Sequence, residues 1–575
     1  MVIIGNSVNL WGFCNMNNGN LIGKVQSVDT GNISVIVDKE ELLNSVQINQ
    51  IVQIRSTKTG EKIIGLISKI MRKAVSEKID DVPEADFIVE NLMRINLVGT
   101  LVEASGTERN VFKRTLNTVP SIDADCFLLQ GDELSEFMNI ISSNSENPLK
   151  IGKYTISGES DANLDGNKFF QRHAVIVGGT GSGKSWTVAN ILEKATKLIS
   201  VNCLVFDLHG EYKPLATLPN TTLLKIAGPS DKPDGDNIIF LPYWLLSYEE
   251  IESLLLDRSD SNAPNQSRTL FDLIIQYKKE KLEAENKQDV LDNFTVESPI
   301  PYEISKVLSS LEEKDIEMVP GSSGKGKQGP LYGKLTRFIQ RLKSKQADKR
   351  LNFIFNSDEI LLSYDWLNSL INNLLDFGNG KGLKIIDFSE VPSDILPLIT
   401  GLIGRLIFSV QQWMDDDRRH PVALFCDEAH LYIPANLKGG IEEKGLASFE
   451  RIAKEGRKYG LSLVVISQRP SDVNKTVLSQ CGNFVAMRLT NPDDQNVIKR
   501  LFPDNLGDFS EMLPILDVGE SLIVGDASLL PSRVKVTPPK IKPNSATIDF
   551  WDEWTEQKTE KGIEQAVESL RKQQK

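Results

Sequence analysis

Two hydrophobic rhythms divide this chain. From residue 1 to about 150, short β-branched runs recur, as in Asn32-Ile33-Ser34-Val35-Ile36-Val37, Ile51-Val52-Gln53-Ile54, Ile63-Ile64-Gly65-Leu66-Ile67 and Ile95-Asn96-Leu97-Val98. Turn residues such as Thr30-Gly31 and Thr59-Gly60 separate them. Regularly spaced short strands predict a small barrel or sandwich. From about residue 155 the pattern becomes apolar runs alternating with helical stretches, which predicts a mostly parallel sheet covered by helices. The expected strands are His173–Val177, Cys203–Phe206, Leu383–Phe388, Val422–Cys426, Leu461–Ile466, Phe484–Leu489 and Ser521–Val524. Between about 245 and 365 the alternation stops. Helical periodicity takes over there, in Ser247–Leu256 and Ser267–Glu285, which predicts a helical insertion. Within it, Gly321–Lys327 has the composition of a flexible loop. Beyond Pro538 and Pro543 lies a polar tail with one helical stretch, Gly562–Lys572. The expected units are therefore a β-rich assembly domain over 1–150, an α/β domain over 151–540 and a tail over 541–575.

Composition narrows the function classes. The 575 residues carry a net charge of −13, so any nucleic acid must meet locally confined basic groups rather than a basic coat. Five widely spaced cysteines without a C-x-x-C pair, and only four histidines, point away from zinc sites and disulfide frameworks and toward a reducing cytoplasm. The longest apolar stretch, Ile395 to Val410, is broken by Gly401, Gly404 and Arg405 and reads as a buried helix, so no membrane partner is expected. No signal-peptide pattern opens the chain.

The chemistry centres on Gly178-Gly179-Thr180-Gly181-Ser182-Gly183-Lys184-Ser185, which fits G-x-x-x-x-G-K-[ST] between an apolar strand and a helix beginning near Trp186. Glycines let the backbone turn its N–H groups onto phosphate oxygens, and the helix N-terminus adds partial positive charge. Lys184 suits the β- and γ-phosphates and Ser185 suits Mg²⁺, and Gly178 to Ser185 together with Trp186 are the candidate nucleotide-binding residues. Asp427-Glu428 closes another apolar strand. Asp427 suits the metal and Glu428 the attacking water, because phosphoryl transfer depends on positioning and electrostatics. Gln468, at the end of the 461–466 run, suits sensing of the γ-phosphate if its strand lies beside the other two. No Leu-Ser-Gly-Gly-Gln run occurs, which disfavours an ABC-type ATPase.

These motifs stand in a specific order. Asp207-Leu208-His209-Gly210-Glu211-Tyr212, Asp427-Glu428-Ala429-His430, Glu455-Gly456-Arg457-Lys458-Tyr459-Gly460, Ser467-Gln468-Arg469-Pro470 and Leu489-Thr490-Asn491-Pro492 follow the phosphate loop in turn. The series resembles the HerA family of hexameric DNA-translocating ATPases over about 170–540, and the β-rich start looks like that family's HAS-barrel. The resemblance implies a RecA-like core, ATP bound with Mg²⁺ between protomers of a homo-hexamer, and double-stranded DNA in the ring channel. By the same resemblance Arg172 and Arg457 are candidates to act on a neighbour's nucleotide. It also implies a nuclease or sirtuin-like effector partner, in DNA processing or antiphage defence. The competing reading is a nucleotide-regulated ring scaffold that assembles and activates an effector.

One further stretch is basic. In Lys334–Arg350, Leu335, Phe338, Ile339 and Leu342 repeat at helical spacing and would face a core, while Arg337, Arg341 and Lys345 share another face. That stripe either tracks DNA phosphates or is solvated surface.

Overall fold

The computed structural model describes residues 20–37, 40–76, 87–103, 110–142, 146–158, 160–320, 326–378, 381–437, 439–503, 507–545, 548–555 and 562–574. Most of the expected glycine-rich loop, residues 321–325, and Cys14 lie outside them.

The first unit is a closed barrel. Its strands are β1 (Leu21–Val28), β2 (Asn32–Ile36), β3 (Ile51–Arg55), β4 (Glu61–Ser76), β5 (Phe87–Val102), β6 (Val111–Lys113) and β7 (Asp125–Leu128). They pair in the order β2-β1-β7-β3-β4-β5-β6, and an additional β2–β5 pairing closes six of them into a ring. Closure removes unpaired edges, which a sheet of short strands otherwise exposes. Alternate residues point inward, and Val25, Val35, Ile54, Ile63, Met93 and Ile95 form a buried interior.

The second unit is one twelve-stranded sheet. Its members are β8 (Leu149–Tyr154), β9 (Asp161–Leu164), β10 (Ala174–Val177), β11 (Cys203–Asp207), β12 (Thr221–Ile226) and β13 (Ile238–Ile239). A small hairpin, β14 (Met318–Pro320) and β15 (Gly326–Gln328), lies apart from it. The sheet continues with β16 (Leu383–Asp387), β17 (Val422–Cys426), β18 (Leu461–Ser467), β19 (Asn483–Met487), β20 (Glu520–Gly525) and β21 (Ser532–Val536). The order is β13-β12-β16-β11-β17-β18-β10-β19-β20-β21-β8-β9. From β13 to β19 all neighbours are parallel, and the last four strands are antiparallel. Both faces of the central strands are covered, so β10, β11, β16, β17, β18 and β19 are buried along their whole length.

The structure departs from the sequence expectation at the sheet margins. Strands β12, β13, β8, β9 and β21 were not foreseen. They are short or half-polar, and only pairing with a formed sheet decides their state. The stretch from about 245 to 365 is helical as expected, with helices Tyr248–Leu255, Ala263–Ala284, Ile304–Ile316 and Thr336–Ala347, but it also carries the β14–β15 hairpin. Ser247 opens the first of these helices with a capping box. Its hydroxyl accepts from the Glu250 N–H at 3.2 Å, and Glu250 Oε2 accepts from the Ser247 N–H at 2.7 Å. The interrupted apolar stretch forms the buried helix Leu396–Trp413, and no helix among the described residues is long and apolar enough to cross a membrane. Among the described residues of the tail are the helices Phe550–Thr555 and Ile563–Lys572.

Candidate nucleotide site

The phosphate loop leaves β10 and enters the helix Lys184–Ala195. Gly181 and Gly183 have φ of +71° and +104°, so L side chains are disfavoured at both. At Gly178 a Cβ would lie 2.4 Å from Ser182 Oγ and 2.8 Å from Met487 Cβ. The helix starts at Gly183 without a side-chain cap, so its first N–H groups remain available to an anion.

Strand order brings the other motifs to this loop. Because β17, β18 and β10 are adjacent and parallel, Asp427, Gln468 and the loop leave the same edge of the sheet. That edge, at the carboxyl ends of the strands, is where open α/β sheets bind ligands. Lys184 Nζ donates to Glu428 Oε1 at 2.9 Å and lies 3.7 Å from Asp427 Oδ1. Gln468 Nε2 donates to Glu428 Oε1 at 2.5 Å, and Gln468 Oε1 accepts from Thr180 Oγ1 at 2.8 Å. His430 Nδ1 stands 3.3 Å from Glu428 Oε2 and 3.2 Å from Ser467 Oγ. Glu428 itself has φ +44° and ψ +43°, a left-handed conformation that costs a non-glycine residue on the order of 1 kcal/mol.

The electrostatics are those of an acidic pit around one lysine. Burial works against the charge of Lys184, but the carboxylates of Asp427 and Glu428 outweigh it and hold its pKa above the ordinary value. Burial pushes Glu428 up, yet the Lys184 charge and hydrogen bonds from Lys184 and Gln468 leave it below the usual range. Asp427 is different. Burial dominates, Lys184 only partly offsets it, and Glu428 and Glu211 add repulsion, so its pKa rises to about 7. Both of its carboxylate oxygens lack a hydrogen-bond partner. A buried carboxylate whose oxygens accept no hydrogen bond, with the Ser185 hydroxyl next to Lys184 in the chain, is a hard-oxygen donor set that fits Mg²⁺ carried in with phosphates.

A cavity of about 500 Å³ opens from the loop, lined by Thr180, Lys184, Ser185, Trp186, Glu211 and Gln468 on one side and by Val518, Lys535, Val536, Thr537, Pro538 and Ser545 on the other. This size suits a small organic ligand. A larger cavity of about 840 Å³ lies between Val391–Asp394 and the helix Ile563–Lys572 and contains none of these groups.

Residues 149–407 match the central domain of helicase HerA, and residues 406–563 match the HerA-like C-terminal domain. The chain belongs to the HerA helicase family. A DNA double-strand break repair helicase HerA of Sulfolobus acidocaldarius is 25% identical over 531 residues, spanning 88% of this chain and 92% of that protein. A probable helicase of Methanocaldococcus jannaschii is 26% identical over 394 residues, spanning 68% of this chain and 66% of the relative. Among solved structures, VirB4 of Thermoanaerobacter pseudethanolicus aligns with a TM-score of 0.45 and 15% identity, covering 69% of this chain and 98% of that one. As a HerA-family protein the chain is a phosphate-loop ATPase with a barrel before its α/β core.

The two arginines sit elsewhere. Arg172 lies two residues before β10 and Arg457 four before β18, both at the amino ends of parallel strands. At about 3.3 Å per residue, the four residues of β10 and seven of β18 span roughly 13 and 23 Å, so neither side chain reaches its own protomer's loop. Arg172 is half-exposed with Nε 3.5 Å from Asp526 Oδ2, and Arg457 is exposed. His173 joins their two segments. Its Nδ1 accepts from the Leu463 N–H at 2.9 Å and its Nε2 lies 3.1 Å from the Ala453 carbonyl. Burial pushes its pKa down to about 4, so it stays neutral near pH 7.

Sequence reasoning left the Asp207-x-His209-Gly210-Glu211 segment without roles. Asp207 accepts from the Glu211 and Tyr212 N–H groups, both at 2.9 Å, and so shapes the turn that presents Glu211 to the cavity. Burial raises the pKa of Asp207 to about 6, against these two hydrogen bonds. The segment after β21 was also missed as part of the site. Its only sequence signal was prolines, which mark a break in structure but not what the chain lies against.

Proposed function

We propose that this protein is a Mg²⁺-dependent ATPase that moves DNA through a homo-hexameric ring and works with a nuclease or other effector in DNA processing or antiphage defence. The observation that carries the reading is the convergence of Lys184, Glu428 and Gln468 beside Asp427, whose oxygens accept no hydrogen bond, at one sheet edge. The loop N–H groups and Lys184 would bind the phosphates, and Ser185 and Asp427 would hold the metal. Mg²⁺ bound there would neutralise phosphate charge and draw the γ-phosphoryl group toward attack. In the structure Lys184 and Gln468 both donate to Glu428. On nucleotide binding, Lys184 turns to the phosphates, which frees Glu428 to polarise water while Gln468 reads the γ-phosphate.

Arg172 and Arg457 support a ring. At the strand ends opposite their own loop, they would act on a neighbour's nucleotide rather than their own, where a planar permanent cation stabilises transferring charge. With an acidic exterior, double-stranded DNA is accommodated inside the ring. The basic stripe is a weak candidate for contact outside it. Arg341 pairs with Asp257 at 3.0 Å, and Lys343 on the same helix pairs with Glu312.

The test is ATP hydrolysis with and without double-stranded DNA. The translocase reading expects DNA to stimulate turnover and Glu428→Gln to abolish it. If turnover ignores DNA at low salt, with and without the copurifying partner, and a Glu428→Gln ring still activates that partner, the scaffold reading replaces it.

A further inference from the structure

The cavity has two chemically distinct ends. The phosphate end carries Lys184, Ser185, Glu211 and Gln468. Beyond them Trp186 faces Val536 and Pro538, with the hydroxyls of Thr537 and Ser545 beside them, while Lys535 of the same wall donates its ammonium to the Val518 carbonyl at 2.7 Å. Trp186 follows Ser185 directly, so its half-buried indole stands one residue from the phosphate-binding groups. The opposing wall is a strap, Thr537–Ser545, tied down at separate points. Asn190 donates to the Thr537 carbonyl, and Glu193 Oε2 accepts from the Lys540 N–H at 2.6 Å. The Asn544 N–H donates to the Glu211 carbonyl at 2.7 Å, and Lys542 Nζ lies 5.8 Å from the centroid of the Trp186 ring. Asn190 and Glu193 belong to the same helix as Trp186, so that helix holds the strap opposite its own tryptophan.

We propose that Trp186 and the Val536–Pro538 wall form the nucleobase subsite, and that the base is held by stacking on Trp186. This rests on the nucleotide reading above and deepens it. A base has an apolar face and a polar edge. Trp186, Val536 and Pro538 offer an aromatic face and aliphatic walls, and the cavity's amide and its carboxylate, Gln468 and Glu211, belong to the segments that meet the phosphate loop and Asp207. Stacking tolerates any base with enough ring area, so the substrate class is the purine nucleoside triphosphates, with weak choice between adenine and guanine. Discrimination by edge hydrogen bonds would instead reach several orders of magnitude.

Calorimetry on the full chain with Mg²⁺ tests this, using ATP, GTP, CTP and inorganic tripolyphosphate as separate ligands. Trp186→Leu keeps an apolar side chain and Trp186→Phe keeps an aromatic one. The expected result is that ATP and GTP bind within about tenfold of each other and CTP more weakly. Trp186→Leu should then weaken both purine nucleotides about tenfold, with tripolyphosphate unchanged and Trp186→Phe largely restoring affinity. The subsite is overturned if Trp186→Leu leaves ATP affinity unchanged, or weakens tripolyphosphate as much as ATP, since Trp186 would then support the loop rather than the base. It is also overturned if GTP binds a thousandfold more weakly than ATP. Lys184→Ala separates the two readings. Undiminished tripolyphosphate binding in that variant would remove the phosphate site itself, whatever Trp186 does.

Discussion

Glu428→Gln changes one oxygen for a nitrogen and should move binding and turnover in opposite directions. In the structure Lys184 and Glu428 are nearly solvent-free partners, 5% and 3% exposed, at 2.9 Å. Their gross attraction is on the order of 5 kcal/mol at an effective dielectric near 20. Desolvation of both charges offsets most of that, leaving about 1.5–3 kcal/mol for a charge-assisted hydrogen bond. ATP competes for the same ammonium group, so part of this energy is lost whenever nucleotide binds. Glutamine keeps a carbonyl for Lys184 but no charge. About 1 kcal/mol of that competition should disappear, and Mg²⁺-ATP should bind roughly fivefold more tightly. Turnover should fall by about 10²–10⁴, because the amide no longer draws a proton from water. Equilibrium binding of a fluorescent ATP analogue and steady-state phosphate release measure the two effects. Near-normal turnover would remove Glu428 from catalysis. Weakened binding would show that its ion pair with Lys184 preorganises the loop rather than competing with phosphate.

Three other outcomes are expected. Mixing Arg172→Ala or Arg457→Ala protein with Lys184→Ala protein should recover part of the ATPase activity that neither parent has, and a fully active isolated monomer would refute action between protomers. Asp427 has a folded pKa of about 7 against an ordinary 3.8, so it binds its proton more tightly in the folded state; nucleotide-free stability should therefore fall as pH rises from about 4 through 7. Melting temperatures at pH 5 and 8 should show that loss, Asp427→Asn should reduce it to the smaller part that Asp207, raised to about 6, contributes, and a wild-type profile parallel to the variant's would exclude Asp427 as a source. Charge reversal at Arg337, Arg341 and Lys345 together should leave DNA affinity and its salt slope unchanged, whereas a slope reduced by two or three would make the stripe a phosphate track.

The sequence by itself determined what depends on neighbouring residues. The phosphate loop was legible because its glycines, Lys184 and Ser185 are consecutive and their geometry is local backbone geometry. The central strands were legible because burial on both faces demands unbroken apolar runs, as in Val422–Cys426. The helix in Lys334–Arg350 was legible from Phe338, Ile339 and Leu342, which are buried. The family could be named because its motifs keep their order along the chain. Only the tertiary structure decided what those motifs do to one another. Glu428 and Gln468 lie 244 and 284 residues beyond Lys184, and they meet it only because β17, β18 and β10 are consecutive across the sheet. The same order sends Arg172 and Arg457 to the opposite edge, although Arg172 is only six residues from Gly178 in sequence. Glu211 stood in a legible motif without a legible role, and the Thr537–Ser545 strap showed only its prolines. Their place at the cavity comes from hydrogen bonds to Asp207, Asn190 and Glu193, and such contacts exist only once the sheet has brought distant segments together.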